Sequence, residues 1–252
     1  MLKHVRQKKL QDLLISREIM SIAELADALD ASMMTIRRDL EMIEKEGIIR
    51  RIHGGAVIAR STEQLPFRER MKENNAEKGR IGKAAAALIQ AGDIVFFDAG
   101  TTPLFIVDHI PDNIEFTAIT TGLMTAVALT NKRKANVINI GGNIHKSSYS
   151  STNHLSVDMI RRFNADKAFI STKAFSFPSG TFEAMLPLIE VKKAIVSVSR
   201  EVILLADHSK FETKSLCLAI PLGSINTVIT DSAVPEETIK LLRENGKNVI
   251  VV

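Results

Sequence analysis

Apolar positions with helical spacing dominate the start of the chain. A first helix is predicted over residues 5–15, where one face is formed by Leu10, Leu13 and Leu14. A second helix is expected to begin at Ser21, because Glu24 follows three residues later in the capping-box pattern. Its apolar positions repeat at i, i+3, i+4 and i+7 and are Ile22, Leu25, Ala26 and Leu29. The pattern therefore predicts two short amphipathic helices in succession.

A third helix is predicted to begin near Ser32 and to end before Gly47. Its buried face follows the spacing i, i+4, i+7 and consists of Ile36, Leu40 and Ile43. At about 100° per residue, Arg38 lies about 200° from Ile36 and therefore points away from the core. The turn between the second and third helices, residues 30–32, is short enough for a helix-turn-helix.

This third helix has the features that recognition of the DNA major groove requires. The groove admits one helix, and an arginine can donate two hydrogen bonds to guanine. The candidate DNA contacts from this helix are Ser32, Met34, Thr35, Arg37 and Arg38. The alternative is a generic amphipathic helix whose arginines are only solvated.

A basic hairpin is predicted directly after the third helix. Two short apolar runs, residues 48–52 and 56–59, are joined through residues 53–55, which include two glycines. Residues 50–60 contain three arginines, one histidine and no acid, as expected for a segment that contacts phosphates. The candidate contacts from this wing are Arg50, Arg51 and His53. A solvated surface segment is the alternative.

The larger part of the chain follows a different pattern. Residues 60–76 are polar, contain Pro66 and predict a linker. From residue 77 onward, helical stretches separate apolar runs at 94–97, 116–120, 137–140, 168–170, 202–206 and 225–229. This alternation predicts a parallel sheet with helices on both faces. Ligands of such sheets bind at the carboxyl ends of the strands.

Small, hydroxyl and charged residues follow those predicted strand ends. After the first strand, Gly100 allows close approach of an anion, and Thr101 and Thr102 can donate hydroxyl hydrogen bonds where a helix begins. Sugar hydroxyls can be bound by Asp98, Asp207 and Lys210. Each feature also has a plain structural explanation, since such residues cap helices and form turns. Their gathering at neighbouring strand ends favours a ligand pocket.

Composition narrows the function classes. The 252 residues are 45% hydrophobic and 25% charged, with a net charge of +4, which is typical of a soluble globular protein. Tryptophan is absent and Tyr149 is the single tyrosine, which argues against a single-strand binder built on aromatic stacking. Cys217 is the single cysteine and the six histidines are scattered, so neither a metal site nor a cofactor is predicted. With no signal peptide or membrane-spanning run, the cytoplasm is expected.

Residues 19–57 resemble the DNA-binding domain of DeoR-type bacterial transcriptional regulators, the DeoR/GlpR family. The family core T-[IV]-R-R-D-L is present intact as Thr35–Leu40. The family wing R-x-H-G-G-A is present as Arg51–Ala56, at the expected distance from the core.

The resemblance extends over the second half of the chain. The motifs that match the family effector domain are Glu77-Lys78, D-A-G-T-T at 98–102, G-G at 141–142, Lys192, D-H-S-K-F at 207–211 and I-T-D at 229–231. That domain resembles sugar-phosphate isomerases of the ribose-5-phosphate type and implies sensing of phosphorylated sugars or related metabolites. The resemblance and the strand ends together give these candidate effector contacts: Asp98, Gly100, Thr101, Thr102, Thr121, Gly122, Gly141, Gly142, Lys192, Asp207 and Lys210.

The chain departs from the family pattern at several pocket positions. The usual T-N-S is replaced by residues 121–123, Thr-Gly-Leu, which removes an amide side chain. Ser171 and Ala174 stand where the family has glycines, and residues 150–153 replace a further glycine. These changes point to an altered effector or a reduced pocket.

The sequence thus predicts an α/β protein of two domains. Residues 1–59 form a winged helix-turn-helix domain, 60–76 a linker, and 77–252 an effector-sensing and oligomerisation domain with a mainly parallel sheet. The predicted function is a non-enzymatic regulator, a repressor of a carbohydrate-use operon, that binds operator double-stranded DNA as a homodimer or homotetramer under control of a phosphorylated sugar, without contact to membranes.

Two other functions remain open at this stage. One is a sugar-phosphate isomerase-like enzyme with a DNA-binding appendage, which the missing D-G-A-D-E run of those isomerases disfavours. The other keeps the DNA binding but makes the second half a pure oligomerisation module.

Overall fold

The chain forms two compact units, Met1–Glu63 and Gln64–Val252. In this computed structural model, the residues described are 3–17, 19–45, 49–52, 54–58, 67–211, 213 and 215–252.

The N-terminal unit contains the three predicted helices and a small sheet. Its elements are α1 Lys3–Arg17, β1 Ile19–Ser21, α2 Ile22–Leu29, α3 Met33–Lys45, β2 Ile49–Ile52 and β3 Gly55–Ile58. The capping box at the start of α2 is confirmed: the backbone N–H of Glu24 donates to the Ser21 hydroxyl, and the Ser21 N–H donates to the Glu24 carboxylate. The hairpin of β2 and β3 is the predicted wing, within a residue of the expected bounds.

One apolar cluster holds this unit together. The predicted faces of all three helices meet in it, with Leu10 and Leu14 from α1, Leu25 and Leu29 from α2, and the α3 residues Ile36, Leu40 and Ile43. A buried ion pair joins α1 to α3, because the Arg6 guanidinium lies 2.5 Å from the Asp39 carboxylate. The rotation of α3 about its axis is therefore fixed from behind by aliphatic packing and by Asp39.

The sequence did not reveal strand β1. Its three residues pair antiparallel with β3, which gives a three-stranded sheet in the order β1-β3-β2. Gly55 permits this close pairing, since a Cβ at that position would lie 2.3 Å from the Met20 carbonyl oxygen. A strand this short carries too few positions to show an alternating pattern.

The second unit is an α/β domain. Its helices are α4 Phe67–Lys72, α5 Asn75–Ala86, α6 Thr101–His109, α7 Leu123–Leu129, α8 His154–Ile160, α9 Leu186–Ser197 and α10 Glu236–Glu244. Its strands are β4 Ile94–Phe97, β5 Phe116–Thr120, β6 Ala135–Asn139, β7 Asn143–His145, β8 Ser150–Thr152, β9 Ala165–Ser171, β10 Ala174–Ser176, β11 Gly180–Glu183, β12 Ser199–Leu205, β13 Cys217–Pro221, β14 Thr227–Thr230 and β15 Asn248–Val251.

A seven-stranded parallel sheet forms the centre of this unit. A parallel sheet was predicted with six of these strands, whereas β15 was not predicted. Its order is β15-β14-β12-β9-β4-β5-β6. The chain runs outward from β4 to β5 and β6, then returns to the other side of β4 to form β9. The connections therefore change direction between β4 and β9, and the crevice at the carboxyl ends of these two strands is where such sheets bind ligands.

Helices cover both faces of the sheet. Along β4, Val95 and Phe97 point to one apolar cluster, whereas Phe96 points to the other, as the period of two requires. The first cluster includes Ile81 of α5 and Ile106 of α6. The second includes side chains of α8, α9 and α10. Burial on both faces explains why the strands are almost continuously apolar.

Two smaller sheets were not predicted from the sequence. Strands β10, β11 and β13 form an antiparallel sheet, and β7 pairs with β8 in a hairpin. Pairing of β11 with β13 joins residues far apart in the chain, so no local pattern indicates it.

The predicted linker, residues 60–76, was too long. Residues 67–72 form α4, and α5 begins at Asn75, so this part belongs to the second unit. Phe67 is buried, packs edge-on against Tyr149 and donates its N–H to the Ser147 carbonyl. The polar sequence of α4 shows no apolar period, because the helix is anchored by a single buried aromatic side chain, Phe67. Residues 59–66 lie outside the described residues.

Replacing Leu40 tests the anchoring of α3. Leu40 is fully buried, so Leu40→Ala should lower the free energy of unfolding of the N-terminal unit by about 2–5 kcal/mol. Met42 of the same helix is exposed, and Met42→Ala should change it by less than about 0.5 kcal/mol. Denaturant unfolding followed by circular dichroism measures both; equal effects of the two variants would contradict the packing described.

Candidate functional site

The outer face of α3 carries the predicted DNA contacts. Arg37 and Arg38 are both exposed; Arg38 lies opposite the buried Ile36, and Arg37 lies to one side of it. Met34, in the first turn, is 59% exposed. The predicted outward direction of Arg38 is therefore confirmed for the N-terminal unit.

Ser32 and Thr35 together cap the start of α3. The Thr35 N–H donates to the Ser32 hydroxyl, and the two hydroxyl oxygens lie 2.9 Å apart. This arrangement satisfies one of the free N–H groups of the first turn and sets the direction in which the helix begins.

Arg51 of the wing contacts α3 within the unit. Its guanidinium lies 2.8 Å from the Glu41 carboxylate and 2.8 Å from the Glu44 carboxylate. Hydrogen bonds to Glu44 raise the pKa of Arg51. Arg51 therefore neutralises two acids next to the recognition face. The side chain of Arg50 and all of His53 lie outside the described residues.

In the second unit, a buried charge cluster occupies the crevice between β4 and β9. The Lys192 ammonium, on α9, lies 2.6 Å from the Asp98 carboxylate and 3.2 Å from Glu183 of β11. It also donates to the Ser171 carbonyl at the end of β9. The same Asp98 oxygen accepts hydrogen bonds from the Ser171 N–H and hydroxyl. The cluster joins four elements at one point.

Lys192 is held in its charged form. Burial acts to lower its pKa, but the nearby negative charges of Asp98 and Glu183 outweigh burial, and the pKa is raised. The carboxylates of Asp98 and Glu183 thus share the Lys192 ammonium, which fixes their positions in the crevice.

A second cluster lies where β12 ends. One Asp207 oxygen accepts hydrogen bonds from Asn74, 2.8 Å away, and from the backbone and hydroxyl of Ser209. The other oxygen is buried and accepts no hydrogen bond from the residues that the structure describes; it lies 3.9 Å from the Lys210 ammonium. Burial acts to raise the pKa of Asp207, yet Lys210 and the hydrogen bonds from Ser209 and Asn74 lower it. Asp207 is thus an ionised acceptor.

Two cations that were missing from the predicted site connect these clusters. Lys78, on α5, donates to the carbonyls of Arg70 and Glu73, and burial beside the Lys210 charge lowers its pKa to about 8. Arg70, on α4, interacts electrostatically with the carboxylates of Glu183, Glu73 and Asp98. The family motif Glu77-Lys78 pointed to Lys78, whereas no local signal marks Arg70, which reaches the pocket only because α4 folds onto the second unit.

A helix begins after β4 at the predicted position. Thr101 and Thr102 are buried in the first turn of α6, and Gly100 precedes them in extended conformation. A Cβ on Gly100 would lie 2.5 Å from the Ser171 hydroxyl. Glycine is thus required here by close packing.

Unpartnered hydroxyls mark the neighbouring strand end. The buried Oγ atoms of Thr121 and Ser151 have no hydrogen-bond partner among the described residues. The two residues are adjacent, because the Ser151 N–H donates to the Thr121 carbonyl. Gly122 lies against Ala99, where a Cβ would come within 3.2 Å of the Ala99 Cα. These hydroxyls are available to a polar ligand.

The two glycines after β6 have different surroundings. Gly142 has a φ of +143°, and a Cβ there would meet the Ser156 hydroxyl and the Thr152 carbonyl. Ser156 also donates to the Gly141 carbonyl. Gly142 therefore serves the packing of α8, while a Cβ on Gly141 would meet no atom within 4 Å. None of these contacts is with the charged clusters.

Family models match both units. A DeoR-like helix-turn-helix domain matches residues 6–62, and a DeoR C terminal sensor domain matches residues 73–232. The chain belongs to the DeoR family of transcriptional regulators. As a DeoR-family member it is a DNA-binding regulator, with the predicted two-domain architecture.

Relatives in this family span the whole chain. The HTH-type transcriptional regulator YulB of Bacillus subtilis is 33% identical over 100% of this chain and 98% of its own length. The transcriptional repressor AccR of Agrobacterium fabrum is 33% identical over 90% of this chain and 89% of its own length. The glycerol-3-phosphate regulon repressor of Escherichia coli is 27% identical over 95% of each chain.

Solved structures that match this DeoR-family chain include a ribose 5-phosphate isomerase. That enzyme, from Methanocaldococcus jannaschii, has a TM-score of 0.41 and 14% identity, and the match covers 55% of each chain.

Across the described parts of the chain, no helix is both long and apolar enough to span a bilayer.

The buried ion-pair cluster predicts a contrast between neighbouring lysines. Lys192→Ala leaves Asp98 and Glu183 buried without their shared cation, which should lower the free energy of unfolding of the sensor domain by about 3–5 kcal/mol. Lys193 is exposed and pairs with the exposed Glu190, so Lys193→Ala should cost less than about 1 kcal/mol. Thermal unfolding at pH 7 compares them, and similar melting temperatures would refute the described role of Lys192.

Proposed function

We propose that the chain is a repressor that binds operator DNA through the exposed face of α3 and responds to a phosphorylated sugar in the sensor domain. The observation that carries the DNA interface is the outward position of Arg38 on a helix whose opposite face is fixed by aliphatic packing. A rigid helix can hold an arginine where it meets guanine in the major groove.

The predicted contacts divide by what they can offer DNA. Met34, Arg37 and Arg38 have exposed side chains that can reach base edges. Ser32 and Thr35 cap the helix and offer its positive N-terminal end to a phosphate. The wing is proposed to add phosphate contacts from Arg50, Arg51 and His53. For Arg51, this contact would come in addition to its ion pairs with Glu41 and Glu44.

Binding by two or more copies follows from the size of this interface. One short recognition helix offers few base contacts, and paired half-sites double them. We therefore infer a homodimer or homotetramer in the cytoplasm, acting on a carbohydrate-use operon.

The proposed effector site is the crevice between β4 and β9. Its groups suit a sugar phosphate: the first turn of α6 with Lys78, Arg70 and Lys210 for the anion, and Asp98, Asp207 and the free hydroxyls for the sugar. Gly122, Gly141 and the remaining candidates shape the neighbouring wall. We propose this role for the whole predicted set, with Gly142 acting through packing.

Catalysis is disfavoured by the partners of Asp98. One Asp98 oxygen already accepts three hydrogen bonds, including one from the Lys192 ammonium, so that oxygen is poorly placed to remove a proton from a substrate. The sugar contact proposed for Asp98 therefore uses the other carboxylate oxygen. We infer a binding function without turnover. An isomerase activity would be revealed by formation of ribulose 5-phosphate from ribose 5-phosphate.

Control by an effector requires that the effector binds two states of the protein assembly with different affinities. Helix α4 is a candidate for the responsive element, because it follows the DNA-binding domain in the chain and carries Arg70. Its carbonyl at Arg70 is held by Lys78. An anion that draws either cation towards itself would alter the way α4 is anchored.

Replacing Arg38 tests the DNA interface. Arg38→Ala should weaken operator binding by about 1–3 kcal/mol, because a guanine loses its two donors. Arg161→Ala, which removes an exposed arginine directly after α8 in the sensor domain, should bind as the parent does. Gel-shift titrations on operator and unrelated DNA measure both, and unchanged operator affinity of Arg38→Ala would refute this interface.

A ligand screen tests the sensor site. At about 100 times its Kd, one of ribose 5-phosphate, glucose 6-phosphate, fructose 6-phosphate or glycerol 3-phosphate should stabilise the protein by about 2.7 kcal/mol. A bound anion favours charged Lys78 and raises its pKa, so binding takes up a proton above pH 8 and affinity falls as the pH rises through that value.

Calorimetric titration at pH 7, 8 and 9 measures this dependence. Lys78→Gln should flatten it, whereas Lys83→Gln, at an exposed position of the same helix, should retain it. If no sugar phosphate raises the melting temperature, the pure oligomerisation module becomes the better account of this domain.

A further inference from the structure

Two exposed methionines open the recognition helix. Met33 is 55% exposed and Met34 is 59% exposed, and they are the first two residues of α3. Large apolar side chains at the surface cost solvation free energy unless another surface covers them. The N-terminal residues of a recognition helix are those that reach base edges in the major groove.

Met34 lies on the same strip of α3 as Arg38. The two are four residues apart, so they are neighbours on the helix surface, about one turn from each other. At about 100° per residue, Met34 lies about 160° from Ile36, almost opposite the buried face. Any surface that Arg38 contacts will therefore also meet Met34.

The charges around the methionines favour DNA over an apolar protein partner. Arg37 and Arg38 flank them, and the acids Glu41 and Glu44 of the same helix are paired with Arg51 at 2.8 Å. This pairing removes the repulsion that two carboxylates would exert on phosphates. A basic surface with an apolar centre matches a groove whose rims are anionic.

One group in the major groove is matched to an apolar side chain. Thymine presents its 5-methyl group there, beside acceptors and donors that methionine cannot satisfy. The unbranched thioether of methionine adapts its shape to such a contact. Cytosine lacks the methyl group, so a methionine can distinguish the two pyrimidines.

We propose that Met34 is a specificity-determining residue that contacts the 5-methyl group of a thymine next to the base contacted by Arg38, with Met33 packed beside it. The inference rests on the proposed DNA interface of α3. It implies that each operator half-site contains a thymine whose 5-methyl group contributes to binding.

Removal of that methyl group tests the proposal directly. Duplexes selected by the full-length protein from a random library serve as probes, and each thymine in turn is replaced by uracil, which lacks only the 5-methyl group. At one position per half-site, uracil should weaken binding of the parent protein about fourfold, the factor expected for one buried methyl group. Fluorescence anisotropy at a fixed salt concentration measures each affinity.

Variants assign the effect to one side chain. Met34→Gln should lose the uracil effect at that position, whereas Met42→Gln, at an exposed position eight residues further along α3, should retain it. The proposal is overturned if no uracil position weakens the parent protein, or if Met34→Gln keeps the full sensitivity. If Arg38→Ala also binds the selected duplex like the parent, the whole α3 interface fails; if Arg38→Ala is weakened, only the methionine contact fails.

Discussion

The aliphatic packing behind α3 is the constraint on which the DNA-binding surface depends. Ile36, Leu40 and Ile43 are almost completely buried against α1 and α2, so the helix cannot rotate without exposing them. The opposite strip, with Met34 and Arg38, is thereby directed outward. Base recognition requires side chains held in a fixed direction, and here that direction is set by apolar contacts that themselves never touch DNA.

In the sensor domain, buried charges hold the side chains of the crevice in fixed positions. Lys192 joins Asp98 and Glu183 at the point where the sheet connections change direction, so the crevice floor is built from ion pairs and hydrogen bonds. Such a floor favours one arrangement of its side chains, because each buried charge requires its partner in place. At the neighbouring strand end, the hydroxyls of Thr121 and Ser151, which have no hydrogen-bond partner in the described part of the chain, leave hydrogen-bonding capacity for a ligand.

The sequence predicts those parts of the fold that local patterns encode. The capping box at Ser21, the period of α3 and the apolar strands beside Asp98 all follow from neighbouring residues. Strand β1 and the sheet of β10, β11 and β13 escape such reasoning, because three-residue strands and distant pairings leave no periodic signal. Arg70 escapes it for the same reason: a polar helix becomes part of the pocket only through the burial of Phe67.

Charge counting alone does not reveal the ion pairs of Arg51. The basic run after α3 suggested phosphate contact, yet its guanidinium lies between Glu41 and Glu44. These ion pairs and the proposed phosphate contact are compatible, because an arginine that cancels acids beside a groove-binding helix also reduces their repulsion of DNA. The electrostatic surface that a phosphate meets is the sum over all nearby groups. Arg51 therefore supports recognition by offsetting the negative charges of Glu41 and Glu44 on the helix that carries Arg37 and Arg38.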